Sequence, residues 1–104
     1  MKKFLGNAFS LQMLDVTVAS TVDIVPVTME EVAAADFESA VGHADTANVL
    51  TSLLGKDVPA NRVSIHLNVG DILFVAQVTG GRLPEGATTL PAGFEIAFLK
   101  VTLR

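Results

Sequence analysis

At 104 residues the chain has room for one domain with a genuine core and not for a second. Half of its residues are hydrophobic and 17% are charged, which excludes a disordered polar segment. A formal net charge of −4 and no cysteine argue against broad duplex nucleic-acid binding and exclude disulfides, thiolate zinc sites and cysteine nucleophiles.

In chain order, "MKKFLGNAFS" begins with two lysines and apolar residues, yet Asn7, Ser10 and Gln12 interrupt the run where a signal-peptide core would continue. The stretch reads instead as a first strand over 2–8, with a helical turn in "SLQML". "VDIVPVT", 22–28, is apolar and β-branched and predicts a second strand. Pro26 lacks an N–H for the ladder, so that strand belongs at a sheet edge or ends there. Thr28 and Glu31 of "TMEE" form a capping box that opens a short helix through about Phe37. A second helix spans 45–54, with Asp45 or Thr46 available as its cap. Val49, Leu50, Leu53 and Leu54 form its apolar stripe, and Gly55 ends it.

From 63 to 68 apolar and polar residues alternate: Val63, Ile65 and Leu67 against Ser64, His66 and Asn68. That period predicts a strand with one buried face. The turn "NVGD" leads into "ILFVAQV", which is apolar on both faces and therefore central to the sheet. "GGRLPEG" is a glycine- and proline-punctuated loop, and "FEIAFLKVTL" closes the chain as a strand with an apolar surface for pairing. The result is a single mixed α/β (α+β) domain over 1–104: a small mixed sheet with two or three short helices. No apolar run approaches the roughly 18 residues of a membrane span.

No phosphate loop, dinucleotide fingerprint or HExxH motif occurs, and two histidines without cysteine predict no metal site. His66 lies on the polar side of its alternating stretch, where a solvated histidine needs no special role. His43 follows Gly42 and precedes a helix start, where free N–H groups and the helix dipole favour an anion. Taken alone it reads as a loop histidine bonded to a backbone carbonyl. Arg82 and Glu85 in "GGRLPEG" are likewise readable as an exposed pair worth little, or as a phosphate clamp with a carboxylate beside it.

The ordered set is more specific than its parts. "GNAFS", "VGHADTANVLTSLLG", "VPANRV", the "GD" before the central strand, its glutamine and "RLPEG" together resemble the small ring nucleases that viruses deploy as anti-CRISPR proteins against type III systems, and their relatives in CRISPR loci. The likeness runs nearly the whole chain. It departs between Gln77 and Arg82, one residue longer here than in the viral members, and residues 12–27 carry no matching motif. The resemblance implies a homodimer that encloses cyclic tetra-adenylate and opens it, without metal or cofactor, into linear di-adenylates. By motif, His43, Arg82 and Glu85 fall on the family's catalytic positions, and Asn7, Ser10, Arg62 and Gln77 on its substrate-binding positions. The absence of cysteine points to the cytoplasm, that of the host if a virus encodes the chain, and the short apolar runs to no membrane partner. Glu85 either orients Arg82 or assists the ribose 2′-hydroxyl. A non-catalytic binder of cyclic oligonucleotides is the alternative reading. A general nucleic-acid-binding protein is disfavoured by the acidic balance and the lack of tyrosine and tryptophan for stacking.

Overall fold

Eight consecutive residues, Ile72–Thr79, organise the molecule in the computed structural model, which describes residues 1–104. They form β4, the middle strand of a five-stranded sheet ordered β2-β5-β4-β1-β3. The other strands are β1 (Lys3–Gly6), β2 (Val22–Pro26), β3 (Glu38–Ser39) and β5 (Glu95–Leu103). β4 runs parallel to β1, with Leu73 beside Phe4, and antiparallel to β5, with Leu73 beside Val101. β3 extends the parallel half beyond β1, and β2 lies antiparallel to β5. Pro26 ends β2, at the sheet edge, where its missing N–H leaves no ladder bond unmade.

The apolar run of β4 is explained by cover on both faces. On one side Ile72, Phe74 and Ala76 meet Leu5 and Phe98 from neighbouring strands, beneath the helices α1 (Met29–Ala34) and α2 (Ala44–Leu54). Val32 from α1 and Ala47, Leu50 and Leu54 from α2 complete that layer. On the other side Leu73 and Val75 pack with Phe4, Val101 and Leu103 under Phe9, Met13, Leu14, Ile65 and Leu67. Loops and a 3-10 turn, Leu11–Met13, therefore do on this face what helices do on the other.

Three expectations change. The 63–68 stretch is not a strand and pairs with no strand of the sheet. It crosses the second face as extended loop, tied by the Leu67 N–H to the Met13 carbonyl at 2.8 Å. Leu67 is buried there while Val63 stays half exposed; one-sided burial produced the alternation without a ladder. The first helix stops at Ala34 rather than near Phe37, since Ala35 is already extended. The Lys56 ammonium takes the Ala35 carbonyl at 2.7 Å and sits 4.6 Å above the Phe37 ring, so that segment is held as a link into β3. Finally, β5 offers no free edge for pairing, because β2 and β4 flank it. The Thr28 cap on the Glu31 amide and the left-handed Gly55 after α2 match expectation.

Asp71 closes the sheet at its base. Its buried carboxylate accepts the Lys2 N–H and the Asn68 N–H, each at 2.9 Å, joining the chain start to the turn before β4. Burial works against the ionised carboxyl, but those amides, helped by the amino terminus and Lys2, hold its titration below the ordinary carboxylate value. A depressed folded-state value means that this stability is present above the unfolded carboxylate range, near pH 4, and is lost as pH falls through the lower folded value. Asp71→Ala is expected to reduce unfolding free energy by about 1–3 kcal/mol in urea titrations at pH 7, the cost of two stranded donors. Its acid-unfolding limb should also be shallower than that of the unaltered protein.

Candidate functional site

The parallel strands β1 and β3 and the central strand β4 all end on one side of the sheet, and α2 begins there. Crevices beyond the carboxyl ends of parallel strands are where sheets of this kind bind ligands. Asn7 follows β1 directly, and His43 follows β3 by way of Gly42. The Ala40 N–H bonds the Leu5 carbonyl at 2.7 Å, which prolongs the β1–β3 pairing as far as the approach to His43.

His43 occupies the N-cap position of α2 itself, and its side chain makes no capping bond. Neither Asp45 nor Thr46 caps the helix. Asp45 lies in the first turn, and its Oδ1 accepts the Gly86 N–H across the cleft at 3.0 Å. The start of α2 thus faces the cleft with its first-turn amides free of any side-chain cap, an arrangement that favours anions.

Arg62 is placed by a separate brace. The Asn61 amide donates to the Ser39 carbonyl at 2.7 Å, its backbone N–H to the Val41 carbonyl at 2.8 Å, and the Ser39 hydroxyl to the Pro59 carbonyl at 2.7 Å. The 59–62 segment is thereby bound beside β3, with the Arg62 stem over Gly42; a Cβ on that glycine would lie 3.5 Å from Arg62 Cγ. Gln77 comes from the exposed end of β4. Beyond it the 80–94 loop carries Arg82 back towards α2. Its base is a close crossing: Gly80 has φ +111°, and a Cβ there would sit 2.7 Å from the Gly93 carbonyl oxygen.

These pieces surround a cavity of about 460 Å³ whose polar lining is Asn7, His43, Asp45, Thr46, Gln77 and Arg82. A second hollow of about 250 Å³ shares Asn7 and His43, adds Arg62 and has Met13, Ile65 and Leu73 among its apolar walls. Five of the seven residues singled out from sequence therefore converge. Ser10 and Glu85 line neither space. The Ser10 hydroxyl accepts the Gln12 N–H at 3.2 Å and caps the 3-10 turn, while Glu85 is exposed on the loop. Asp45 and Thr46 are the additions, and their sequence signal, a helix start, concealed a second use. No three His, Asp or Glu side chains gather where they could hold a metal ion, and no helix is long and apolar enough to cross a membrane.

Two adjoining hollows that share Asn7 and His43, one lined by Arg82 and the other by Arg62, mark a small mixed-sheet protein with a site suited to an anionic ligand. The chain belongs to the STIV B116-like family, whose model matches residues 3–97. It is 39% identical over 70 residues to the uncharacterized protein ORF117 of Acidianus two-tailed virus, covering 62% of this chain and 59% of that one. To the uncharacterized protein 26 of Sulfolobus islandicus filamentous virus it is 44% identical over 50 residues, 48% of this chain and 42% of that one. The matched segments thus span less than two thirds of these viral relatives. Among solved structures, B116 of Sulfolobus turreted icosahedral virus superposes with a TM-score of 0.79 at 28% identity, over 98% of this chain and 99% of that one.

Because the crossing at Gly80 leaves no space for a Cβ, Gly80→Ala should open the base of the 80–94 loop. The expected strain is about 1–3 kcal/mol. Limited proteolysis should then cut within 81–93 well before the unaltered protein is cut there, while circular dichroism of the sheet is retained.

Proposed function

We propose that this protein is a metal-independent ring nuclease that opens cyclic tetra-adenylate into linear di-adenylates and so ends type III CRISPR signalling in the host cytoplasm. The observation that carries the reading is the meeting of Asn7, His43, Gln77 and Arg82, from four separate stretches of chain, in one cavity. The sequence resemblance assigns these same residues to substrate.

The chemistry follows from the groups present. The 2′-oxygen of a ribose attacks its own 3′-phosphorus, forming the O2′–P bond as the P–O5′ bond breaks. The leaving 5′-oxygen takes a proton from the imidazolium form of His43, leaving neutral imidazole, and the 2′-hydroxyl proton passes to solvent or to a carboxylate brought up by the loop. The products are a 2′,3′-cyclic phosphate and a free 5′-hydroxyl. Arg82 and Arg62 supply positive charge to the phosphorane-like transition state, and the uncapped start of α2 adds oriented N–H groups. Glu85 lies outside the cavity, so a part in catalysis requires the loop to move inward or a second copy to present it.

Size supports a dimer. A volume of about 460 Å³ lies within the range that takes a drug-sized ligand, about 300–1,000 Å³, and a ring of four nucleotides exceeds it. Two copies about a two-fold axis would place two His43 side chains on opposite phosphodiesters of the ring. Val63, half exposed on the rim of the smaller hollow, provides apolar surface beside the site for such a partner.

Incubation with cyclic tetra-adenylate in EDTA, followed by chromatography, tests the reading. Di-adenylates ending in 2′,3′-cyclic phosphate are expected; activity lost in EDTA and restored by magnesium or manganese overturns it. His43→Ala should slow single-turnover cleavage by about 10²–10⁴-fold with little change in affinity, as for a lost general acid. Arg82→Ala should weaken both binding and rate, and His66→Ala neither. Tight binding of the ring without any cleavage by the unaltered protein would select the non-catalytic binder instead.

Light scattering at micromolar concentration is expected to report a dimer. A monomer that cleaves at full rate contradicts the shared pocket.

A further inference from the structure

The 80–94 loop is fastened to α2 at two points that the reading above does not use. The first is the Asp45 Oδ1 acceptor for the Gly86 N–H, at 3.0 Å. The second lies about two turns further along the helix, where the Ser52 hydroxyl donates to the Thr88 carbonyl at 2.7 Å. At its base the loop is pinched where Gly80 meets Gly93. Between that pinch and the first fastening lies Arg82, aimed into the cavity that Asp45 also borders. A short span of chain held at both ends has few conformations, so the backbone that carries Arg82 is confined before any ligand arrives.

We propose that Asp45 is a positioning residue: its carboxylate latches the loop to the start of α2 through the Gly86 amide and thereby sets where Arg82 stands. Helix capping does not account for this carboxylate, because His43 holds the N-cap position and the Asp45 oxygen points to a residue 41 positions away. Direct contact with an anionic ligand is a poor use of it, since a carboxylate repels phosphate. What remains is the backbone bond it makes. The latch also connects the two functional groups: His43 precedes the helix by one residue, Asp45 is in its first turn, and Arg82 hangs from the loop that Asp45 holds. Its effect on rate rests on the ring-nuclease reading; the latch itself does not.

The test compares the full-length protein with Asp45→Ala, Asp45→Asn and Ser52→Ala, by amide hydrogen exchange and by single-turnover cleavage and binding of cyclic tetra-adenylate. Asp45→Ala should speed exchange across 82–90 by about five- to tenfold, the net weight of one hydrogen bond, with exchange in β4 and β5 unchanged. The cleavage rate should fall by about tenfold or more, with a smaller change in affinity, as expected when a transition-state contact is misplaced. Asp45→Asn retains an acceptor oxygen and should recover most of the protection and of the rate. Ser52→Ala, far from the cavity, should shift both readouts in the same direction by less.

Unchanged loop exchange in Asp45→Ala overturns the latch. Faster exchange with rate and affinity untouched overturns its positioning role. An Asp45→Asn variant as impaired as Asp45→Ala, with Ser52→Ala normal, shows that the charge acts directly and overturns the hydrogen-bond argument. If the unaltered protein neither binds nor cleaves the ring, the nuclease reading fails, and the exchange measurements still decide the latch.

Discussion

Enclosure of the first half of β4, on both edges and on both faces, is the constraint from which the rest of this structure follows. Over Ile72–Val75 it pairs with β1 and β5 together, beyond that with β5 alone, and its side chains are divided between a helical layer and a layer of loops. A strand so enclosed must be apolar throughout, which is why "ILFVA" carries no polar residue before Gln77. Burial ends where the chain emerges from between those layers. Gln77 is exposed at that point, and the cleft opens beside it.

The direction of the strands then decides where chemistry can be placed. With β1, β3 and β4 parallel, their carboxyl ends and the start of α2 fall on the same side, so four distant stretches present side chains to one space. Affinity for an anion there does not require a basic protein. Two arginines and uncapped helix amides set the local field, whereas the net charge of −4 is a sum over the whole chain. The formal charge thus speaks to duplex binding and says little about a phosphate in a pocket.

Stability and function divide along the sheet. At one end Asp71 joins the amino-terminal strand to the turn before β4. At the other, Asn61 and Ser39 make part-buried bonds beside β3, and Asp45 and Ser52 make exposed ones under the loop. The exposed pair contributes little to global stability, yet each bond removes freedom from the segment that carries Arg82, as the part-buried pair does for Arg62. Their weight falls on placement.

Local rules were enough for the elements whose signals are local. The Thr28 cap, the Gly55 stop, the edge position of Pro26 and the centrality of "ILFVAQV" depend on a few adjacent side chains and on burial, and each was legible in the sequence. The candidate site was legible through an ordered set of short motifs, which named Asn7, His43, Arg62, Gln77 and Arg82 before any of them could be placed. Tertiary structure alone decided the rest. Residues 63–68 alternate as a strand does, but periodicity records which side chains are buried, not which backbone groups are paired, and they lie over the second face as a loop. Ser10 and Asp45 show the same limit, since a short polar side chain has no preferred partner until the fold brings one near. Ser10 found the amide two residues ahead, and Asp45 found one 41 residues away. Local spacing determined the elements and nominated the chemistry, whereas pairing partners at long range were chosen only when the sheet closed.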